Sequence, residues 1–284
     1  MNARNQASEA AVGLLGDTAR RDYSSKLSLF NVFAEPELRQ AVDSLALKPG
    51  MRVLDAGCGS GEALAWLRRA VEPHGSVLGI DLSAAHVAAA RRGGAPEIGV
   101  IQANLLELPF AAGSFDLIWC VNTINHLHDP VLGAKRLATL LSPHGRIALG
   151  QSSFLPDMFF AWDSRLERLT NEAVRAYYRD RYSVSERDLA TTRGLVGLLQ
   201  RAGVSRVQTR TLVIERLAPL EPAAERYLLD GVFRGTWGER LRPYLSGEDY
   251  AELGCLCDPE NPKFALRRPD FHFLQTFSLV VGDL

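Results

Sequence analysis

A glycine-rich loop between a short apolar run and a helical pattern constrains this chain more than any other feature. The run Val53 to Ala56 is followed at once by Gly57 to Gly61, which reads Gly-Cys-Gly-Ser-Gly, and a helical pattern begins where the loop ends. Glycines lack a Cβ, so the backbone can approach a ligand closely and adopt positive φ angles. The first N–H groups of the next helix have no partner within that helix. The order of strand, loop and helix therefore predicts a ligand-binding turn.

Short apolar runs alternate with helical patterns from Met51 to Gln151. The runs are rich in Val, Ile and Leu, which is typical of strands buried on both faces of a parallel sheet. Strands that alternate with helices require right-handed crossovers. We therefore predict an α/β fold with a Rossmann-like, doubly wound, seven-stranded sheet that is mostly parallel. The predicted strands cover 52–56, 76–81, 100–103, 115–121 and 146–150, and the predicted helices cover 61–71, 84–92 and 130–141.

After Gln151 the pattern changes to long helical stretches rich in aromatic residues. Residues 154–182 and 221–253 are predicted to be largely helical, and Val207 to Ile214 and His272 to Gly282 are predicted strands. No helical crossover of simple length joins these two strands, so we expect the last strand to be antiparallel. The helical stretches are interpreted as a lid inserted in the C-terminal half.

These changes of pattern divide the chain into three parts. Residues 1–48 form an N-terminal arm and helix that cover the ligand site, and residues 49–152 form the ligand-binding core. Residues 153–284 hold the rest of the sheet and the lid, at about 153–185 and 218–265. The first 22 residues are polar and Ala-rich and lack the apolar core of a secretory signal, so we expect a cytoplasmic protein.

Composition limits the classes of function. The 284 residues carry a formal net charge of −1, with 46% hydrophobic and 23% charged residues, which is ordinary for a globular enzyme and gives no sign of nucleic-acid binding. Apolar runs such as Ile147 to Leu149 are far too short to span a bilayer. Cys58 and Cys120 lie in unsuitable places for a disulfide. The pair Cys255 and Cys257 could bind a soft metal, but packing is favoured because no further ligand is near in sequence. We expect no metal site.

The spacing of the glycine loop argues against a dinucleotide site. A dinucleotide fingerprint reads G-x-G-x-x-G or G-x-G-x-x-A, whereas here Glu62 stands at its last position. A carboxylate there is unfavourable beside a pyrophosphate, and Asp55 before the loop adds further negative charge. Glu62 therefore argues against a nicotinamide dinucleotide, and Asp55 fits a cationic ligand, such as a sulfonium or ammonium group.

A second carboxylate follows the next strand. Asp81 ends the predicted strand that leads into Leu82 and Ser83. An acid at this point can accept hydrogen bonds from both ribose hydroxyls of a nucleoside, and Leu82 can lie against the adenine face. The alternative is that Asp81 only caps the following helix, although Ser83 competes for that role.

These motifs resemble the class I S-adenosylmethionine methyltransferases, in particular the branch that includes the ubiquinone and menaquinone C-methyltransferases. The resemblance covers Tyr23 to Gln151, and the remainder only by layout. In this family the first motif is a strand that ends in an acid and is followed by G-x-G-x-G, which Asp55 to Gly61 match. The acid after the second strand matches Asp81, and Ser114 to Ile118 match the fourth strand.

The family's third motif differs in one position. It commonly reads Gly-Asp-Ala, followed soon by Leu-Pro-Phe, and here Ala103 to Leu105 precede Leu108 to Phe110. Asn104 replaces the usual Asp, and its amide oxygen can still face the adenine amino group. The backbone N–H of Leu105 would meet an adenine ring nitrogen.

The resemblance implies S-adenosylmethionine as the cofactor and a set of residues that bind it. Val121 and Asn122 would line its methionine end, and Tyr23 would close over it from the arm, or else be an ordinary half-buried tyrosine. The implied cofactor-binding residues are Tyr23, Asp55, Gly57, Cys58, Gly59, Gly61, Asp81, Leu82, Asn104, Leu105, Val121 and Asn122.

The chemistry of methyl transfer needs few catalytic groups. The donor is already activated, so the enzyme mainly aligns acceptor and donor and can remove a proton from the acceptor. His126 and His128, which follow the fourth strand, are the candidate bases. The alternative is that these histidines only brace their loop.

The acceptor is expected to be a small, aromatic or lipophilic molecule, because small-molecule sites are concave and largely apolar. The candidate acceptor-binding aromatics, which could instead fill the interior of the lid, are Phe159, Phe160, Trp162, Tyr177, Tyr178, Phe233 and Trp237. We therefore predict methylation of oxygen, nitrogen or carbon in a small molecule, as in secondary metabolism. The alternative is a fold relative that binds the cofactor without methyl transfer, such as a cyclase or a binding module. The sequence leaves open a monomer or a homodimer.

Overall fold

Strands from both halves of the chain form one mixed sheet. The structure is a computed structural model that describes residues 13–15, 17–94, 97–153, 159–160, 163–185 and 191–284, with only the backbone of 159–160 and 191–192. The strands are β1 Arg52–Ala56, β2 Ser76–Asp81, β3 Gly99–Gln102, β4 Phe115–Val121, β5 Leu141–Ser152, β6 Phe159–Phe160, β7 Ser205–Leu217 and β8 His272–Asp283.

The strand order confirms the predicted topology. The seven longer strands lie in the order β3-β2-β1-β4-β5-β8-β7, and β1 to β5 are parallel to their neighbours. β8 is antiparallel to β5 and to β7, so the predicted antiparallel last strand is confirmed. The right-handed crossovers of the first half bring the carboxyl ends of β1, β2 and β4 to one edge of the sheet, where ligands bind in such folds.

The short strand β6 corrects the sequence prediction at Phe159 and Phe160. We expected a helix there, but their backbones pair with Leu274 and Phe273 of β8. β5 pairs only with the later part of β8, from Phe277 onward, so the earlier part would leave unpaired backbone groups on this side. Trp162 and residues 154–158 lie outside the described residues.

Helices flank both faces of the sheet. They are α1 Ser24–Phe33, α2 Glu35–Ser44, α3 Glu62–Val71, α4 Ala84–Gly93, α5 Pro130–Thr139, α6 Ser164–Tyr182, α7 Thr191–Arg201, α8 Pro222–Arg226 and α9 Gly247–Cys257. α8 continues as a π-helix over Tyr227–Trp237. The predicted helix over 221–253 is therefore interrupted, because Gly238 has a φ of 44° and Pro243 lies in the 3₁₀ helix Arg242–Tyr244.

The two core layers lie on opposite faces of the sheet. α3 buries Leu64, Leu67 and Val71, spaced for one helix face, in the layer that also holds Trp119. The other layer gathers Leu54, Ile118 and the apolar faces of α5 and α7. Trp119 and Ile118 are neighbours on β4 that point to opposite layers, so the strand is buried on both sides. This explains the continuous apolar run that predicted it. Among the described residues, no helix is long and apolar enough to span a membrane.

The C-terminal insert packs on the outside of α1. The ring of Phe33 stacks on Tyr227 of the π-helix, with 4.3 Å between centroids. Lys26 Nζ donates a hydrogen bond to Thr236 Oγ1 at 3.1 Å. Phe233 and Trp237 are buried and stacked on each other, 5.3 Å apart. These two aromatics therefore fit the alternative in which lid aromatics fill the interior of the lid.

Candidate active site

A cleft of about 1170 Å³, part of it open to solvent, lies at the carboxyl ends of β1, β2 and β4. Twelve of the residues predicted from the sequence line it. They are Tyr23, Asp55, Gly57, Cys58, Gly59, Asp81, Leu82, Asn104, Leu105, Val121, Asn122 and His126. The described residues of the predicted lid do not line this cleft, whereas Leu27, Phe30 and Asn31 of α1 do.

Two predicted site residues, Gly61 and His128, are not among the residues that line the cleft. Gly61 has a φ of 92°, and a Cβ on it would lie 2.8 Å from the Cβ of Ala90. It therefore permits the close approach of α3 and α4. His128 lies beyond the 3₁₀ turn Ile124–His126, on the way to α5.

The glycines of the loop give room to two neighbouring elements. A Cβ on Gly57 would lie 2.2 Å from Thr123 Oγ1, and a Cβ on Gly59 would lie 3.0 Å from Leu27 Cδ1. Both glycines have positive φ angles, 88° and 53°. The loop is thus held between the end of β4 and α1, and its backbone forms part of the cleft wall. Thr123 was missed in the sequence because only the fold brings it to the loop.

Asp55 is a buried carboxyl group with an unsatisfied oxygen. Its Oδ2 has no hydrogen-bond partner among the described residues. Burial, together with the charges of Asp81 and Glu62, raises the pKa of Asp55 to about 8. A buried polar atom normally has a partner, so this oxygen is suited to a ligand that brings a positive charge or a donor.

Asp81 organises the turn after β2. Its Oδ2 accepts a hydrogen bond from the N–H of Gly59 at 3.0 Å, and its Oδ1 accepts one from the N–H of Ser83 at 2.8 Å. His86 Nδ1 lies 3.1 Å from Oδ1. The N-cap of α4 is Ser83, whose Oγ accepts from the N–H of His86. The carboxylate of Asp81 thus joins the glycine loop to this turn and faces the cleft.

Asn104 and Asn122 shape the backbone at two other strand ends. Asn104 Oδ1 accepts a hydrogen bond from the N–H of Leu106 at 3.0 Å, which closes an Asx turn. Asn122 has a φ of 51°, and its side chain bonds to Ser152 at the end of β5 through both its oxygen and its nitrogen. Asparagine tolerates this left-handed conformation better than most residues.

Residues 13–15 and 17–23, which we name the strap, cross the cleft. On the α4 side, Ser83 Oγ donates to the carbonyl of Arg21 at 2.6 Å and the N–H of Ala84 donates to the carbonyl of Ala19 at 3.0 Å. On the β4 side, the N–H of Leu14 donates to the carbonyl of His126 at 2.7 Å. The ring of Tyr23 packs edge-on to His86, with 4.4 Å between centroids.

The buried carboxylate of Asp17 forms the centre of the strap. Its Oδ2 lies 2.6 Å from His126 Nδ1, and its Oδ1 accepts a hydrogen bond from Tyr23 Oη at 3.0 Å. Burial works to raise the pKa of Asp17, but the hydrogen bond and charge of His126 and the charge of Arg21 hold it below its usual value. Asp17 was not predicted from the sequence, because nothing near it in the arm indicates a partner more than a hundred positions away.

Comparison with known proteins identifies the family. A family profile described as Methyltransferase domain matches residues 53–145. The 2-phytyl-1,4-naphtoquinone methyltransferase of Thermosynechococcus vestitus is 32% identical over 181 residues, which cover 60% of this chain and 79% of that protein. The chain therefore belongs to the class I S-adenosylmethionine-dependent methyltransferases, so the predicted class is confirmed, and S-adenosylmethionine is the cofactor of that family.

Other comparisons cover smaller parts or show only the fold. The 27-O-demethylrifamycin SV methyltransferase of Amycolatopsis mediterranei is 33% identical over 117 residues, 39% of this chain and 42% of that protein. Alignments with five curated relatives, this one included, span between 24% and 54% of the relatives' own length. The solved structure of the YcgJ protein from Bacillus subtilis has the same fold, with a TM-score of 0.56 and 18% identity over 88% of this chain and 98% of that one.

Proposed function

We propose that this chain transfers a methyl group from S-adenosylmethionine to a small organic molecule bound in the cleft beneath the strap. The observation that carries the proposal is the buried, unpartnered oxygen of Asp55 at the glycine loop of a methyltransferase fold. With a pKa of about 8, Asp55 is mostly protonated in the unliganded cleft at neutral pH, and a bound cationic cofactor would favour its ionised form, because no described protein group bonds to Oδ2.

The residues present fit this cofactor. Asp55 would hold its cationic amino acid end, and Asp81 would accept hydrogen bonds from its ribose hydroxyls. Leu82 and Leu105 would enclose the adenine ring beside Asn104, whereas Val121 and Asn122 would lie at the methionine end. When bound, S-adenosylmethionine supplies a methyl carbon on a sulfonium, which is already activated for nucleophilic attack.

The cleft walls support an aromatic or lipophilic acceptor. Phe30, Trp66 and Trp119 line the cleft together with Leu27 and Leu127. Two relatives are named for a phytyl-naphthoquinone and for a demethylrifamycin, both small organic molecules. We therefore extend the proposal to a quinone-related or phenolic acceptor, in keeping with the resemblance to the quinone-methylating branch. His126, which lines the cleft, would remove the acceptor proton where the acceptor is a hydroxyl or an amine.

The test combines cofactor binding with methyl transfer. Isothermal titration should detect S-adenosylhomocysteine but not NAD, and Asp55→Asn should weaken the binding of S-adenosylmethionine by about tenfold or more, since a charge-assisted contact is lost. The exposed carboxylate of Asp43 on α2 gives a matched control, Asp43→Asn, with unchanged affinity.

Transfer of labelled methyl from S-adenosylmethionine to a panel of naphthoquinols, phenols and amines then identifies the acceptor class. Failure to bind S-adenosylhomocysteine would contradict the proposal. Tight binding without transfer to any member of a broad panel would favour the alternative of a cofactor-binding relative without methyl transfer.

A further inference from the structure

The contact between Asp17 and His126 has the geometry of a carboxylate that orients an imidazole. The 2.6 Å separation of Asp17 Oδ2 and His126 Nδ1 is that of a short, charge-assisted hydrogen bond. Asp17 is buried, and both residues line the cleft. The carboxylate is ionised near neutral pH, because the hydrogen bonds from His126 and Tyr23 and the charge of Arg21 oppose the effect of burial, and the pKa of Asp17 lies below its usual value. An ionised carboxylate can only accept, so the proton of the contact lies on Nδ1.

The second nitrogen of His126 is then free to act as a base. With Nδ1 protonated, a neutral imidazole carries its lone pair on Nε2. No hydrogen bond to a described residue engages Nε2, and the side chain of His126 keeps 26% of its surface exposed. The second oxygen of Asp17 is held by Tyr23 Oη, so the carboxylate cannot rotate freely away from the imidazole.

We propose that Asp17 is a positioning residue that fixes the Nδ1–H tautomer of His126, so that Nε2 accepts a proton from a hydroxyl or amine acceptor. The inference rests on the proposed function. As the acceptor heteroatom bonds to the methyl carbon, the carbon–sulfur bond breaks and its electron pair remains on sulfur. The acceptor proton passes to Nε2, and the resulting imidazolium is stabilised by the carboxylate of Asp17 before it releases the proton to solvent.

The location of Asp17 makes this base conditional. Asp17 belongs to the strap, whereas His126 belongs to the 3₁₀ turn after β4, and the N–H of Leu14 bonds to the carbonyl of His126 beside them. A strap that leaves the cleft would therefore remove the carboxylate from the imidazole. The base is complete only when the strap is in place, which couples closure of the cleft to proton removal.

A simple anchoring role for Asp17 makes different predictions. If Asp17 only held the strap, its loss would weaken cofactor binding and leave turnover at saturation intact. The other titratable or charged groups that face Asp17 and Tyr23 are Arg21 from the strap, and His86 and Asp81 from the wall beyond. A substitution of Asp17 also removes the partner of Arg21 and Tyr23, so a changed pH profile reports on the contact with His126 only together with the tautomer of His126.

The kinetic test uses Asp17→Asn with two companions. We expect Asp17→Asn to lower kcat by about 100-fold or more, with affinity for S-adenosylhomocysteine within about threefold of the wild type. The rise of kcat with pH on the acidic side of the pH–rate profile should shift in this variant, and Asp17→Glu should restore part of the rate. His126→Ala combined with Asp17→Asn should be no slower than His126→Ala alone, because the two act as a unit. Asp43→Asn, which neutralises an exposed carboxylate on α2 outside the cleft and the strap, is the matched control with unchanged kcat.

A measurement without turnover guards against a variant that fails to fold. Long-range ¹⁵N–¹H NMR of the wild-type protein should show His126 as the Nδ1–H tautomer, and Asp17→Ala should shift it toward a mixture. An Nε2–H tautomer in the wild type would overturn the inference, as would full kcat in a folded Asp17→Asn. Absence of wild-type turnover on every acceptor, with the Nδ1–H tautomer present, would count against the proposed function instead.

Discussion

At the scale of single residues, Asp55 combines an unfavourable position with a clear use. Its pKa of about 8 in the folded protein lies far above its value of 3.8 in an exposed chain, chiefly because of burial. The folded state therefore binds more protons than the unfolded state between about pH 4 and pH 8. The free energy of unfolding falls as pH rises through this window. The decrease is complete once the pH exceeds the pKa of Asp55 in the folded protein.

The pH dependence of stability should change in Asp55→Asn. We expect the difference in Tm between this variant and the wild type to move in favour of the variant as pH rises from 5 to 9, because the amide has no charge to bury. Differential scanning fluorimetry of the unliganded proteins measures it. Asp43→Asn should show no such trend, and a pH-independent difference for Asp55→Asn would mean that Asp55 is already ionised in the folded state.

The glycine loop allows a second comparison between residues. Gly57 and Gly50 both have positive φ angles, 88° and 85°, but a Cβ on Gly50 meets nothing within 4 Å, whereas one on Gly57 collides with Thr123. Both alanine variants carry about 1 to 2 kcal/mol of backbone strain. Gly57→Ala adds the steric conflict, at about 1 to 3 kcal/mol. In urea unfolding, Gly57→Ala should have a lower free energy of unfolding than Gly50→Ala. Only Gly57→Ala should also weaken cofactor binding. Equal losses would argue against close packing at Thr123.

At the scale of elements, Arg216 joins the N-terminal helices to the sheet. Its guanidinium on β7 lies 2.7 and 2.9 Å from the two carboxylate oxygens of Glu37 on α2. It also donates to the carbonyl of Phe33 at the end of α1 and lies over the Phe33 ring. The two side chains are mostly buried, so this pair holds the helices that cover the cleft.

Loss of one partner of this pair should therefore be costly. Arg216→Ala leaves Glu37 buried without its cation, and we expect a loss of about 3 kcal/mol in the free energy of unfolding. The exposed pair of Arg39 and Glu35 gives the control, since Arg39→Ala should cost less than about 1 kcal/mol. Denaturant unfolding of both variants measures the contrast. Similar losses would show that the Arg216 pair is solvated in solution.

The sequence predicts elements well where local pattern and burial agree. β1, β2 and β4 are continuous apolar runs buried on both faces, and Asp55 and Asp81 were found because they stand at the end of such strands. β6 could not be predicted, because it is a strand only through its pairing with the part of β8 that β5 leaves unpaired. The contact of Asp17 with His126 was equally hidden, since two distant segments meet only after folding.

At the scale of the whole molecule, the N-terminal helices lie between the cleft and the insert. α1 lines the cleft with Leu27 and Phe30, while Phe33 packs against the π-helix. The sequence pattern predicted that the insert itself would form the acceptor lid. The structure interposes α1, so changes in the insert would reach the cleft through this helix. π-helical segments often lie near functional sites, and this one supports the element that forms the cleft wall.

The strap should make turnover depend on its opening. It bonds to both walls of the cleft, through Ser83 and Ala84 on one side and His126 on the other. We expect rapid-quench experiments to show a burst of methylated product followed by a slower steady state, because loop opening limits many enzymes that close over their ligands. Ser83→Ala, which removes the bond to the Arg21 carbonyl and also the N-cap of α4, should raise the steady-state rate relative to the burst. A linear time course without a burst would mean that chemistry is slower than opening.

A strap that is bonded to both walls of the cleft also sets the order in which ligands enter and leave. With S-adenosylmethionine bound at the glycine loop, as proposed, the strap would close over the donor, so we expect the donor to bind before the acceptor and its demethylated product to leave last. In such an arrangement the strap would open to admit the donor, close during methyl transfer, and open again only after the transfer is complete. Accumulated S-adenosylhomocysteine would then inhibit this protein by keeping the strap closed, and a higher concentration of acceptor would not relieve the inhibition.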